Sequence, residues 1–210
     1  MVYEDRREIP YEILGPLGGG AYGTVYRVKR ISGRRSGTVY ALKSITLRQG
    51  YTSRGNALER CQNEVKMIKQ ARHIHVITLV ETYKCRREFC IIMEPVAEGT
   101  LQDYLKYADQ CDGTVFANYR EQLFKWFGCL ASALAFVHYR GIRHRDIKPT
   151  NILVQGNNLL LTDFGISFVD TENTEQGETD VFGTAKYRAP EPVRGIRFGR
   201  HADVFALGAV

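Results

Sequence analysis

The chain has 210 residues, of which 44% are hydrophobic and 25% charged, and its formal net charge is +6. This is the composition of a globular protein long enough for one or two compact units, without internal repeats or low-complexity tracts. No apolar run approaches the roughly 20 residues that span a bilayer and the first residues lack the apolar core of a signal peptide, so we expect a cytoplasmic or nuclear protein without a membrane partner.

The first half of the chain has the pattern of a β-rich region. Short apolar runs, bounded by glycines and polar turns, predict five strands. Between the third and the fourth strand, Val65, Ile68 and Ala71 follow a helical period and predict a helix over residues 57–71. The strands are predicted at residues 11–14, 24–28, 38–45, 76–83 and 89–94, and the third is expected to be partly buried on both faces.

The second half of the chain is predicted to be mainly helical. Pro95 interrupts the strand pattern, and residues 95–100 are interpreted as a connector. A long amphipathic helix is predicted over residues 118–139, and a turn signal separates two short strands at 152–154 and 159–162. The apolar side of the long helix is predicted to contain Leu123, Phe124, Phe127, Leu130, Ala131, Leu134 and Val137. Strands followed by helices predict an α+β fold in two lobes.

The cysteines and the positive charge are each interpreted without a special function. The five cysteines are odd in number and include no Cys-x-x-Cys pair, so buried or half-buried thiols are expected rather than disulfides or a zinc site. The excess of Lys and Arg is interpreted as solvated loops and strand ends, with attraction to acidic substrates as the alternative. No segment resembles a nucleic-acid-binding module, so no nucleic-acid partner is expected.

A glycine cluster is the first candidate binding site. Residues 18–25 read GGGAYGTV, which fits the pattern G-x-G-x-x-G-x-V. Glycines let backbone N–H groups approach phosphates closely, although such a match taken alone is more often a tight turn. A dinucleotide-binding site would need a helix after the glycines. Here a strand follows, which favours a β-hairpin lying over phosphates.

The strongest signal is the segment 144–151, HRDIKPTN, followed by DFG at residues 163–165. Asp146 offers a carboxylate that could accept a hydroxyl proton, Lys148 places a cation beside it, and Asn151 offers an amide that could bind a metal. Asp163 adds a second metal carboxylate. Together these groups suit the transfer of a phosphoryl group from a metal–nucleotide complex.

In their order along the chain, these motifs resemble those of the eukaryotic-type protein kinase family. The segment 183–191, GTAKYRAPE, resembles the part of that family that faces the substrate. Lys148 together with Thr184 matches the serine/threonine-specific members. The resemblance implies a bilobal kinase fold, with an antiparallel β-sheet N-lobe containing one helix and a mainly helical, here incomplete, C-lobe. It also implies ATP and Mg²⁺ as cofactors and a protein Ser/Thr hydroxyl as the acceptor.

The resemblance further implies a role for each matching residue. The implied catalytic residues are Asp146, Lys148, Lys43 and Glu64, and the implied Mg²⁺ ligands are Asn151 and Asp163. The implied ATP-binding positions are Leu17, Gly18, Gly20, Gly23, Val25, Ala41, Lys43, Met93, Glu94, Val96 and Leu153. Lys43, held by an ion pair with Glu64, would bind the α- and β-phosphates, and the backbone of Glu94 and Val96 would bond the adenine edge. For each apolar position taken singly, plain core packing is an equally good interpretation.

The activation segment departs from the family pattern. Where the family often has a phosphorylated Thr, this chain has Asp180, which we expect to give Arg145 a permanent but weaker anion. Thr179 is the competing phosphorylation site, and Thr184 belongs to the same segment. The resemblance also implies that Asp203 bonds the backbone of the catalytic loop.

The extent of the chain is a second departure. The family's helical lobe continues past the helix that begins at Asp203, so we expect this chain to be a fragment that is unstable or aggregates alone. The predicted domains are a kinase domain at 11–210, with N-lobe 11–94, hinge 95–100 and partial C-lobe 101–210, after an extension at 1–10. An inactive, pseudokinase-like ATP-binding scaffold is the alternative function, and a small-molecule kinase of related fold is a second. The motifs specify neither the protein substrate, nor the kinase subfamily, nor the oligomeric state.

Overall fold

The computed structural model describes residues 1–20, 23–47, 57–110, 113–165, 167–169, 183–190 and 199–210. Backbone contacts divide the chain into two compact units. The first contains Met1–Val65 and Thr78–Val96, and the second contains Lys66–Ile77 and Ala97–Val210. Within the described ranges, no helix combines the length and the apolar character needed to cross a membrane. The domain limits predicted from the sequence stay predictions.

The first unit is built on a six-stranded sheet. Its strands are β1 (Val2–Tyr3), β2 (Tyr11–Gly20), β3 (Gly23–Arg30), β4 (Val39–Thr46), β5 (Thr78–Cys85) and β6 (Glu88–Glu94). The order is β1-β5-β6-β4-β3-β2, and every neighbouring pair is antiparallel except β1 with β5. The helix α1, Ala57–Gln70, begins in this unit and ends in the second. The antiparallel sheet with one helix is therefore confirmed.

The two faces of β4 have different neighbours. Tyr40, Ala41, Leu42 and Lys43 are all buried, which confirms burial on both faces because successive side chains point to opposite sides. Tyr40 and Leu42 belong to a core that is rich in aromatic residues. Its members are Tyr11, Val28, Tyr40, Leu42, Tyr83, Cys85, Cys90 and Ile92. The opposite face of the strand carries Ala41 and Lys43.

Residues 1–10, interpreted from the sequence as an extension, are part of this sheet. β1 pairs in parallel with β5 and forms the edge of the sheet, and the Tyr3 ring meets the Tyr83 ring edge-on with centroids 5.5 Å apart. Ile9 packs against the same core. Arg6 forms an ion pair with Glu88 of β6, in which Nη2 lies 2.9 Å from Oε1. A two-residue strand has no periodicity, so the sequence pattern could not predict it.

The cysteines are thiols where the structure describes them. Cys61, Cys85 and Cys90 are buried and Cys129 is half-buried, and none of the four is in a disulfide. Burial raises the pKa of the Cys90 thiol, which makes that sulfur a poor nucleophile. The prediction of buried or half-buried thiols is confirmed for these four, and Cys111 lies outside the described residues.

The second unit contains the helices α2 (Leu101–Ala108), α3 (Gly113–Tyr139) and α4 (Arg200–Gly208). Its short strands are β7 (Gly99–Thr100), β8 (Ile142–Arg143), β9 (Ile152–Gln155), β10 (Asn158–Leu161) and β11 (Phe168–Val169). They form a β10-β9-β7 sheet and a β11-β8 pair. The two strands predicted around the turn are confirmed as β9 and β10. The connector at 95–100 ends in β7, because Gly99 and Thr100 pair with β9.

The predicted apolar side of the long helix is partly wrong. The buried residues of its described part are Trp126, Leu130, Ala133, Leu134 and Val137. This stripe follows the spacing i, i+4, i+7, i+8, i+11 of one helical face. Phe124 and Phe127 lie beside the stripe and are 70% and 56% exposed, and Ala131 is exposed with them. Apolar identity alone made the predicted stripe too wide.

Candidate active site

The glycine cluster forms the hairpin of β2 and β3. Pairing continues through Gly18 with Val25 and Gly19 with Thr24 to Gly20 with Gly23, so both strands are longer than predicted. Gly23 has a φ of +143°, and a Cβ atom there would lie 2.3 Å from the backbone oxygen of Ser44. The backbone therefore requires glycine at position 23. Residues 21 and 22, at the tip, are outside the described ranges.

Lys43 and Glu64 form a buried ion pair. Lys43 Nζ lies 2.7 Å from Glu64 Oε1, and the two residues are 8% and 3% exposed. Lys43 reaches this position from β4 and Glu64 from α1. Separating the two groups would leave each charge buried without its partner, which is costly. The ion pair therefore holds both side chains in this geometry. The pair expected from their order in the sequence is present.

Strand register places further predicted ATP-binding residues on the Lys43 face of the sheet. Val25 pairs directly with Lys43, and Ala41 pairs directly with Met93. Ala41 is two residues from Lys43, so all four side chains point to one side. Ala41 and Met93 are buried, and Leu17 is 40% exposed in β2. Leu153 is half-buried in β9 of the second unit.

Glu94 and Val96 lie at the end of β6. Both are half-buried, and the backbone of Glu94 still pairs with Thr78 of β5. The carboxylate of Glu94 bonds the guanidinium of Arg35 at 2.7 Å. No sequence motif singles out Arg35, which lies in a polar loop between two strands.

The segment 144–151 lies between β8 and β9 in the second unit. Pro149 begins a single 3₁₀ turn, Pro149–Asn151, where its fixed φ and missing N–H are tolerated. The backbone N–H of Asn151 donates to the Lys148 carbonyl at 2.9 Å. This turn folds Asn151 back toward Asp146.

Asp146 is the centre of a compact polar cluster. Its carboxylate accepts hydrogen bonds from Lys148 Nζ at 2.7 Å and from Asn151 Nδ2 at 3.0 Å. It also accepts from the backbone N–H and the hydroxyl of Thr184, at 3.1 and 3.0 Å. Lys148 Nζ donates to the Thr184 hydroxyl at 2.9 Å as well. The structure thus brings together four of the predicted residues. Asp146 itself is buried, with 8% of its surface exposed.

Asp203 fixes the backbone just before Asp146. Its two carboxylate oxygens accept the N–H groups of His144 and Arg145, both at 2.8 Å, and His138 Nε2 lies 2.9 Å away. Arg145 has a φ of +68°, a left-handed conformation that a non-glycine residue adopts at some cost. The bond from α4 stabilises this conformation. The contact implied by the resemblance is present, whereas the participation of His138 was not predicted.

His144 packs against Phe164 and forms hydrogen bonds with backbone groups on both sides. It is fully buried, its ring lies 4.8 Å from the Phe164 ring, and its Nε2 lies 3.0 Å from the Thr162 carbonyl. The backbone N–H of Asp146 donates to Nδ1 at 3.3 Å, which assigns the proton of a neutral ring to Nε2. The contact between the two rings joins Phe164, the middle residue of the DFG segment, to His144 of the catalytic loop.

The two candidate metal ligands offer the oxygen atoms that Mg²⁺ prefers. The amide nitrogen of Asn151 is committed to Asp146, which leaves its side-chain oxygen as the atom able to bind a cation. Asp163 is half-buried with a φ of +65°, directly before the buried Phe164. The chemistry of these donors fits a magnesium ion.

Part of the activation segment is described. Gly183 has a φ of +82°, and a Cβ there would lie 2.6 Å from the Arg145 backbone oxygen, so this close approach also requires glycine. Arg188 Nη2 donates to the Gly183 carbonyl at 2.6 Å. Thr179 and Asp180 lie outside the described residues, and the role of Asp180 toward Arg145 stays a prediction.

Comparison with known proteins gives matches along almost the whole chain. Serine/threonine-protein kinase STE20 of Eremothecium gossypii is 30% identical over 199 residues, which cover 94% of this chain and 19% of that protein. Serine/threonine-protein kinase MST20 of Pyricularia oryzae is 32% identical over 206 residues, covering 97% and 20%. Cyclin-dependent kinase-like 2 of Oryctolagus cuniculus is 32% identical over 207 residues, covering 95% and 33%. The chain spans about a fifth to a third of the length of these relatives.

A family comparison covers the same part of the chain. Residues 11–210 match the family described as the protein kinase domain. The matched range contains the glycine hairpin, the Lys43–Glu64 pair, the Asp146 cluster and the Asp203 contact. The chain belongs to the protein kinase domain family.

Proposed function

We propose that this chain transfers the γ-phosphate of ATP to serine or threonine hydroxyls of a protein, with Mg²⁺ as cofactor. The observation that carries this proposal is the cluster at Asp146, where a carboxylate and the Lys148 ammonium both contact one hydroxyl, that of Thr184. A substrate hydroxyl at this place would have a proton acceptor and a cation within hydrogen-bond reach.

Each member of the cluster has a chemical task in the proposed reaction. Asp146 orients the accepting hydroxyl and takes its proton, and Lys148 stabilises negative charge that develops on the phosphoryl group. Asn151 holds Asp146 through its amide nitrogen and offers its oxygen to the metal, together with Asp163. Mg²⁺, when bound, neutralises charge on the phosphates. Thr184 closes the cluster and supports the serine/threonine specificity.

Lys43 has its task in the first unit. The ion pair with Glu64 directs its ammonium to the face of the sheet that also carries Val25, Ala41 and Met93. On that face, an adenine ring would lie against apolar side chains and the α- and β-phosphates near the ammonium. The glycine hairpin is formed by β2 and β3, and β3 also carries Val25 and pairs with the strand of Lys43.

The test is phosphate transfer from radiolabelled ATP to a Ser/Thr-containing protein, by the chain and by its Asp146→Asn variant. We expect the substitution to reduce transfer by about 10²- to 10⁴-fold, the usual contribution of a general base, while nucleotide binding persists. Asp109→Asn, an exposed aspartate of the same unit, is the matched control and should retain full activity. A chain that binds ATP but transfers no phosphate above the Asp146→Asn level would instead be the pseudokinase-like scaffold.

We also propose a cellular location for the protein and a residue range for the kinase domain. Composition supports a cytoplasmic or nuclear location, and residues 11–210 are proposed as the kinase domain. A fluorescent fusion of the natural protein, imaged in its own cells, tests the location directly.

A further inference from the structure

A charged contact outside the catalytic residues joins the loop between β3 and β4 to the end of β6. Arg35 Nη2 lies 2.7 Å from Glu94 Oε2, and Nη1 lies 3.3 Å from Glu94 Oε1. The guanidinium and the carboxylate thus meet through two parallel hydrogen bonds. A bidentate contact fixes the orientation of both groups and not only their distance.

Arg35 is held in place from its own side. Its guanidinium carbon lies 5.4 Å from the centre of the Tyr40 ring, which is fully buried in β4. The loop backbone is also bonded, since Gly37 N–H donates to the Arg30 carbonyl at 2.8 Å and Thr38 N–H donates to the Arg35 carbonyl at 3.2 Å. The loop therefore presents the arginine from a defined position.

Glu94 is the point where such a contact can influence the nucleotide. It is the last residue of β6, and its own carbonyl is proposed to bond the adenine edge together with the N–H of Val96. Pro95 has no N–H, so the residue directly after Glu94 offers no backbone donor to hold the chain where it leaves the sheet. The Arg35 contact holds the carboxylate of the residue whose carbonyl the nucleotide would use.

The exposure of the contact indicates what it does. The side chains of Arg35 and Glu94 are 49% and 30% exposed. A pair this open to water adds little to global stability. Its value lies in orientation, because the two parallel hydrogen bonds hold the Glu94 carboxylate and the Arg35 guanidinium in one relative geometry.

We propose that Arg35 is a positioning residue for the nucleotide, which acts through Glu94 to hold the adenine-binding backbone in its binding geometry. This inference rests on the proposed function. It gives the loop between β3 and β4, which contains none of the expected site residues, a role in nucleotide binding. It gives that loop no role in phosphate transfer.

The test measures nucleotide affinity and kinetics separately. Binding of a fluorescent ATP analogue to the full natural protein gives Kd, and phosphate transfer gives KM for ATP and kcat. We expect Arg35→Gln and Glu94→Gln each to raise Kd and KM by about three- to tenfold, and we expect Arg35→Gln to leave kcat unchanged. Arg35→Lys should fall between, because lysine keeps the charge but loses the fork. The exchanged pair Arg35→Glu with Glu94→Arg should restore most of the affinity.

Controls separate this inference from the proposed function. Arg34→Gln, at an exposed position in the same loop, should leave Kd unchanged. An original chain that binds no nucleotide would contradict the proposed function itself. A chain that binds nucleotide equally well with and without the Arg35 guanidinium would overturn the positioning role alone. If Arg35→Gln fails to fold, as shown by its melting curve, then Arg35→Lys and the exchanged pair carry the same comparison.

Discussion

At the scale of single residues, buried carboxylates organise the site through the donors that surround them. The Asp146 carboxylate accepts hydrogen bonds from Lys148, Asn151 and Thr184. The Asp203 carboxylate accepts two backbone N–H groups and lies within hydrogen-bond distance of His138. Asp203 is 1% exposed, so each of its hydrogen bonds replaces water that the buried carboxylate has lost. The second aspartate holds the backbone from which the first one projects.

We predict that Asp203→Asn destabilises the second unit. The amide keeps one acceptor oxygen, so one of the two backbone N–H groups at 144 and 145 loses its partner. An unsatisfied buried donor costs about 1–3 kcal/mol of unfolding free energy. Denaturant unfolding followed by Trp126 fluorescence measures this loss, since Trp126 is the single tryptophan and is 2% exposed. Unchanged stability, alongside an unchanged Asp109→Asn control, would contradict the anchoring role.

At the scale of elements, helix ends and strand registers place the site residues. The N-terminus of α2 has a capping box, in which Thr100 Oγ1 accepts from the Asp103 N–H at 3.2 Å and Asp103 Oδ2 accepts from the Thr100 N–H at 3.0 Å. Thr100 is also the end of β7, which pairs with β9. The cap therefore fixes α2 beside the strand that follows the catalytic loop.

We predict that this cap makes stability depend on pH in the acid range. Hydrogen bonds from the Thr100 side chain and backbone lower the pKa of the Asp103 carboxyl below its usual value. A carboxyl with a lowered pKa in the folded state contributes stability above the unfolded value of about 3.9. That contribution is lost as the pH falls through the folded pKa, because the unfolded chain binds the proton more readily.

Thr100→Val tests this cap without changing the shape of the side chain. We expect a loss of about 1 kcal/mol at neutral pH, a smaller loss below the folded pKa, and a rise in the pKa of Asp103. Unfolding curves at several pH values and an NMR titration of the Asp103 carboxyl measure these effects. Thr78→Val, at an exposed strand position, is the control. An unchanged Asp103 pKa would show that the threonine side chain is not its cause.

At the scale of the whole molecule, the folded first unit reaches beyond the residues that match the kinase family. The match begins at residue 11, whereas β1 and Ile9 complete the sheet and its aromatic core from the preceding residues. The Lys84 N–H donates to the Met1 carbonyl at 3.0 Å, so the edge of β5 is covered. A covered edge also protects the sheet from pairing with other chains.

We predict that Tyr3→Ala loosens this edge. The substitution removes the edge-on contact with Tyr83, and we expect a loss of about 1–2 kcal/mol. Hydrogen–deuterium exchange of the β5 amides, Lys84 above all, should become faster. Val2→Ala is the matched control, because Val2 is 74% exposed and its replacement should change stability by less than about 0.5 kcal/mol. Equal exchange in both variants would contradict the structural role of this segment.

Sequence patterns were most informative where the chemistry of a residue is rare. The Lys43–Glu64 pair and the Asp203 contact were expected from motif order, and both are present. Patterns were least informative where common residue types have several uses. Phe124 and Phe127 read as core and are exposed, because helical periodicity does not say which side of a wide apolar stripe is covered. Arg35 lies in a loop of ordinary polar residues, and its contact depends on a strand end far along the chain.

The sequence by itself determined the fold class, the kinase family and the residues that meet around Asp146, because short motifs specify rare chemical groups in a set order. Only the tertiary structure decided the bond between His138 and Asp203, the pairing of β1 and the Arg35–Glu94 bond. These contacts join residues distant in sequence, and their partners are chosen by packing and hydrogen-bond geometry, which local residue patterns do not contain.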